Sequence, residues 1–322
     1  MTKHRRSGLP WLVAGLVTAL LTVYSGPAVA ADPVNTQDRA AVVASYQTQL
    51  QPLLGIPTGW DGSLQECRAG EPSAQSQDAV LSAVNYMRSL AALPEVTLNP
   101  DLSRKSQQAA LIMAANDIIS HDLARSLRCW TEAGYAGAKN GNLALGFGYG
   151  PGSLASTTGP RAVVNYMDDP GQGNGLVGHR RWLLYQSLAE IGNGDTDTSN
   201  SIYVLGDRRR NPARIWVPWP TSGYFPRELE PGGRWSISHP RADFRRAKVT
   251  VTTPQGKIEV RAYPVAAGFG DNTLSWDMDL PPAYASDPSA DYPVTVKVTG
   301  IRMGGKKVTK EWTTTLIKAA SD

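Results

Sequence analysis

Residues 179–194 read His179-Arg180-Arg181-Trp182-Leu183-Leu184-Tyr185-Gln186-Ser187-Leu188-Ala189-Glu190-Ile191-Gly192-Asn193-Gly194. Arg180 to Tyr185 predicts a short helical segment, with Trp182 and Tyr185 suited to its core-facing side. His179 stands just ahead of that segment, behind Val177-Gly178. Beyond His4 the only other histidines are His121 and His239. A lone histidine is more often a satisfied structural group than a reactive one, because a neutral imidazole meets many local hydrogen-bonding needs. His239, in Ser238-His239-Pro240, reads as such a turn residue.

Upstream of this stretch the apolar spacing is helical. Val80, Val84, Met87 and Ala91 mark one face of a helix, and the Ala-rich run Leu102 to Ala115 marks a second. Asn99-Pro100 gives the second helix an N-cap and a first-turn proline, which start a helix without wasting a backbone donor. Arg161 to Asp169 predicts a third helix, stopped by Pro170-Gly171. Ser201 to Leu205 reads as a strand, so residues 75–207 mix α and β. From residue 208 to 322 the pattern changes to short β runs: 215–217, 235–238, 248–252, 257–263, 273–280, 294–299 and 308–317. Gly, Pro and Asp turns separate them, which predicts an all-β, immunoglobulin-like sandwich. Residues 31–74 form an N-terminal extension, with an amphipathic helix expected over Thr36 to Leu54 and a loop carrying Trp60 from Gly55 to Gly62.

Residues 1–30 read as a secretory signal peptide: Lys3, Arg5 and Arg6, then an apolar stretch from Trp11 to Val23, then Ala28-Val29-Ala30 before the expected cut. The apolar stretch is too short for a membrane span, so no stable span is expected after cleavage, and the protein is expected to be secreted or extracellular. Removing the leader takes three of the 32 Lys and Arg and none of the 28 Asp and Glu, leaving the two signs nearly balanced. Neither the total nor a long run supplies the basic face of a nucleic-acid binder, and Arg208-Arg209-Arg210 is better read as a solvated linker. Two cysteines, Cys67 and Cys129, in an exported chain predict one disulfide.

The 179–194 stretch resembles the signature of bacterial members of the CAP superfamily, in which His-Arg and a Leu precede Glu-Ile-Gly-x-Gly at this spacing. This superfamily groups cysteine-rich secretory proteins, antigen five and plant pathogenesis-related proteins. Leu98-Asn99-Pro100-Asp101-Leu102 is similar to the start of the family's second helix, Ser120-His121 to its first signature histidine, and Asn142-Leu143-Ala144 to the tail of its Gly-Glu-Asn-Leu-Ala motif. The resemblance spans residues 75 to 206 and implies an α-β-α sandwich. Its cleft would hold two histidines and two carboxylates, a set able to bind a divalent metal such as zinc. The chain departs from that pattern twice. Gly141 stands where the family carries its first glutamate, and Gln172 to Gly178 form a Gly-rich insertion before His179. The second carboxylate corresponds to Asp169, three residues after Tyr166.

The expected cleft residues are therefore His121, His179, Asp169 and Asn142, with His121, His179 and Asp169 as the metal set. Three ligands suffice for an open zinc site completed by water, and not for a closed structural one. No His-Glu-x-x-His helix and no Gly-x-Ser-x-Gly elbow is present, and Asp122 and Glu132 do not assemble into a general acid and base. Gly146-Phe147-Gly148-Tyr149-Gly150-Pro151-Gly152 lacks the flanking strand, helix and lysine of a phosphate loop and reads as a cleft-rim loop. The first reading is a non-enzymatic protein that binds a small or lipidic ligand, or a surface partner, in a His-containing cleft. The alternatives are a zinc-dependent hydrolase using His121, His179 and Asp169, and an adhesion module that docks to a cell-envelope component through the C-terminal sandwich.

Overall fold

A computed structural model describes Met1, residues 33–146 and residues 156–321. Residues 2–30 of the expected leader and residues 147–152 of the expected loop lie outside the described residues. The chain is α+β: its first half mixes helices with one four-stranded sheet, and its second half is nearly all β.

The first half is built on a four-stranded sheet in the order β1-β3-β4-β2, where β1 is Thr97–Leu98, β2 Gly141–Leu145, β3 Glu190–Asp195 and β4 Ser199–Tyr203. Helices α3 (Pro100–Asn116) and α4 (Glu132–Lys139) cover one face, where Ala109, Ile112, Met113, Ala138 and Leu143 form a small core of their own. On the other face Ala144, Ile191 and Ile202 share the main core with α2 (Ala74–Leu90), α5 (Gly159–Asp168) and α6 (Gly178–Leu183). Helix α3 starts as its residues dictate: the Asn99 side chain accepts from the amides of Asp101 and Leu102, and Pro100 occupies the first turn. The expected amphipathic helix over 36–54 is α1 (Arg39–Ser45), continued by a π turn and a 3₁₀ turn to Gly55.

Strand β3 and helix α4 had no signal in the pattern. In β3 the reason is visible: Gly192 and Gly194 lie under α3, where a Cβ would collide with the backbone of Leu102, Ser103 and Gln107. The strand's other face carries one apolar residue, Ile191, followed by the polar Asn193 and Asp195, so the alternation of apolar residues that reveals a strand never develops. The Gly-x-Gly of the quoted stretch is thus a helix-to-sheet contact distance written into sequence.

The second half contains two further sheets. One runs β10-β11-β7-β5 (Arg261–Ala262, Thr273–Asp277, Arg234–Ser238, Val217–Trp219), the other β6-β13-β12-β8-β9 (Gly223–Pro226, Lys306–Ile317, Tyr292–Met303, Lys248–Thr253, Gly256–Ile258). Six of the seven expected β runs correspond to single strands, the run 257–263 is broken into β9 and β10, and β6 adds a parallel edge to β13. A short helix, α7 (Pro282–Ser286), precedes β12. Trp219, Trp235, Trp276, Phe225 and Val296 from both sheets are fully buried, in the same core as the helices of the first half. The Cys67–Cys129 disulfide is formed, with a Cα separation of 5.0 Å, and fastens the 59–73 segment to the loop before α4. Among the described residues no helix is long and apolar enough to cross a membrane.

Candidate functional site

His121 and His179 line one hollow of about 460 Å³, shared with Asn142, Lys139, Leu176, Trp182, Leu205 and Phe269. His121 comes from the loop after α3, and His179 is the second residue of α6. Each ring is held through the same atom. His121 Nδ1 lies 2.7 Å from the Ala138 carbonyl, and His179 Nδ1 lies 2.6 Å from Asp169 Oδ1. Both partners can only accept, so in the neutral rings Nδ1 carries the proton and Nε2 is left as the acceptor.

Asp169 stands behind His179 rather than in the hollow. It is fully buried, its Oδ1 takes the imidazole, and its Oδ2 accepts the Arg180 amide at 2.9 Å. Its backbone is left-handed (φ 49°), the form that ends α5. Asn142 also serves His179 from behind: its Nδ2 donates to the His179 carbonyl at 3.0 Å. Tyr166 packs on the His179 ring with centroids 5.2 Å apart, and its hydroxyl donates to Asn200 Oδ1. Asn200 in turn donates to Asp195, which also accepts from Asn193 Nδ2 and the Gly159 amide. Burial pushes the Asp195 carboxyl up, against the pull of those donors. This connected polar layer fixes the ring of His179 from below.

The zinc trio expected from His121, His179 and Asp169 does not fit this arrangement. Both Asp169 oxygens are engaged, and among the described residues no three His, Cys, Asp or Glu side chains are grouped to hold a metal. Gly141 leaves no space for the missing glutamate, since a Cβ would lie 2.7 Å from the Gly137 carbonyl oxygen and 2.9 Å from Ser201 Oγ. Asp122 and Glu132 line a separate depression with Arg125 and Trp130. His239 is structural: buried, stacked on Trp216 at 4.6 Å, bonded to the Arg214 carbonyl and accepting from the Arg241 amide.

Residues 81–209 match the family described as CAP, cysteine-rich secretory protein family. This segment is a CAP domain. No curated protein matches the chain. Around the CAP domain the second half supplies what the motifs could not reveal. Phe269, between β10 and β11, lines the hollow, lies over the Arg181 guanidinium at 5.3 Å and packs beside Gly178. Arg181 donates to the Ala266 and Asp271 carbonyls, which holds that loop against α6. The Gly-rich insertion 172–178 is the seat for this contact. Arg234 of β7 donates to the carbonyls of Asp169 and Gly171, Ser275 donates to the Gly175 carbonyl, and Gly175 lies against the Tyr263 ring. Arg180, buried beneath His179, donates to the carbonyls of Met167, Asp168 and Arg234, and burial lowers its pKa to about 10. No sequence signal marks Phe269, because a single aromatic in a β loop has no period and no motif.

Proposed function

We propose that the protein is a secreted, non-enzymatic binding protein whose CAP cleft holds a small amphipathic or lipidic molecule, supported by an immunoglobulin-like second half. The observation that carries this reading is the composition of the hollow. Leu176, Trp182, Val204, Leu205 and Phe269 offer apolar surface, while His121 and His179 offer one acceptor nitrogen each. Its volume of about 460 Å³ is within the range of small-molecule sites. The CAP match supports a binding role in general terms, and the disulfide fits an oxidising compartment outside the cytoplasm.

The test uses a fluorescent straight-chain fatty acid titrated into the wild-type protein, Phe269→Ala and Trp182→Ala, with zinc content measured on the same samples. Saturable binding without bound zinc, weakened in both variants, is the expected result. Stoichiometric zinc that is lost in His179→Ala would turn the reading toward the hydrolase. Absence of saturable binding by the wild type would remove the lipidic ligand.

A further inference from the structure

The second half carries a pocket of about 470 Å³ that shares no lining residue with the cleft and is walled by four charged side chains, Asp243, Arg245, Arg246 and Arg302. Two distant segments build it. Asp243 to Arg246 precede β8, and Arg302 lies near the end of β12. Asp243 and Arg302 are locked together by reciprocal backbone hydrogen bonds of 2.8 and 2.9 Å. The β12–β13 register shifts between Val298 and Ile301, and such an irregularity re-aims the side chains beyond it.

The charges in this pocket do not cancel. Asp243 is taken by Arg245 in a two-pronged pair of 3.0 and 2.8 Å, which holds the carboxyl down to about 2. Among the described residues neither Arg246 nor Arg302 forms an ion pair. Three guanidiniums against one carboxylate leave a surplus of two positive charges. Arg302 also sits opposite Lys307 across β12 and β13, and Met303 opposite Lys306. Like charges directly opposite each other destabilise a sheet, so this hairpin gathers positive charge against its own stability. Nothing in the packing requires it, since Arg245, Arg246 and Arg302 are all exposed.

We propose that this pocket is a binding site for a dianionic oxyanion, a phosphate monoester or sulfate group, independent of the cleft. A doubly charged, multiply accepting group matches both the surplus charge and the fork geometry of unpaired arginines, whereas a carboxylate supplies only one charge.

The test is isothermal titration of the full chain at constant ionic strength with glycerol 3-phosphate, sulfate and acetate. The proteins are wild type, the double variant R246Q/R302Q and the control K297Q, whose lysine is paired with Glu311 elsewhere on the same sheet. The expected result is saturable binding of the two dianions, weakened about tenfold or more in the double variant and unchanged in K297Q, with acetate far weaker. Glycerol 3-phosphate should bind more tightly as pH rises from 5 to 7, because a phosphate monoester loses its second proton near pH 6, and sulfate should not. Equal binding by the double variant, an equal loss in K297Q, or acetate binding as well as sulfate would overturn the site. Vesicles containing phosphatidic acid give the source of the group: retention displaced by glycerol 3-phosphate assigns a lipid headgroup, and soluble binding without retention assigns a free or polymer-borne one.

Discussion

Asp169 and His179, ten residues apart, are joined by a 2.6 Å hydrogen bond that fixes which nitrogen of the imidazole faces the cleft. The same carboxylate caps the Arg180 amide at the start of α6, so ring orientation and helix start depend on one side chain. Asp169→Ala is expected to leave a buried amide and a buried imidazole nitrogen without partners. The expected loss of stability is about 2 to 5 kcal/mol by thermal or denaturant unfolding. Asp169→Asn retains an acceptor and should lose less. Nitrogen NMR of His179 checks the assignment: the wild-type ring should hold its proton on Nδ1, and the alanine variant should not. An unchanged tautomer in Asp169→Ala would show that the carboxylate does not orient the ring.

Asp168, the neighbour of Asp169, gives the fold a pH dependence. Burial raises its pKa to about 7; Arg180 opposes the rise, and Glu230 and Asp169 add to it. Between about pH 4 and pH 7 the folded state therefore keeps a proton that an unfolded carboxyl has already lost. Stability from this group is full below that window and is lost as pH rises through it. Asp168→Asn is expected to raise the melting temperature at pH 7.5 and to flatten its fall between pH 4 and 7. Parallel melting curves for the variant and the wild type across that range would contradict the assignment.

Reduction of Cys67–Cys129, which closes a loop of 62 residues, should lower stability by about 4 kcal/mol in the chain-entropy treatment. Denaturant unfolding with and without reductant measures this directly, and a Cys67→Ser/Cys129→Ser variant should match the reduced protein.

Gly194→Ala places a methyl group against the Gln107 backbone beneath α3. The helix has to move off the sheet, at an expected cost of about 1 to 3 kcal/mol. Gly141→Glu meets the Gly137 carbonyl in the same way, so it should destabilise the protein and should not create stoichiometric zinc binding. Zinc retention by a stable Gly141→Glu protein would show that β2 yields where its packing says it cannot.

Much of the architecture was legible because it is written in local chemistry. Helices α2, α3 and α5 were marked by spacing and by caps such as Asn99-Pro100, and the β runs of the second half by their turns. The disulfide followed from two cysteines and a compartment. Strand β3 was hidden because its residues answer to a helix above and a polar network below, neither of which is local. Helix α4 was hidden because Gly134 and Gly137, poor helix formers, are there to let α3 approach closely.

Sequence alone identified the histidines, the CAP resemblance and the absent glutamate at Gly141, since these are matters of residue type and order. Only the tertiary structure decided that Asp169 holds His179 instead of standing beside it, that Phe269 walls the cleft from the other half, and that Arg246 and Arg302 line one pocket. Those relationships join segments far apart in the chain, and their distances are set by how sheets and helices pack, which no local pattern of residues encodes.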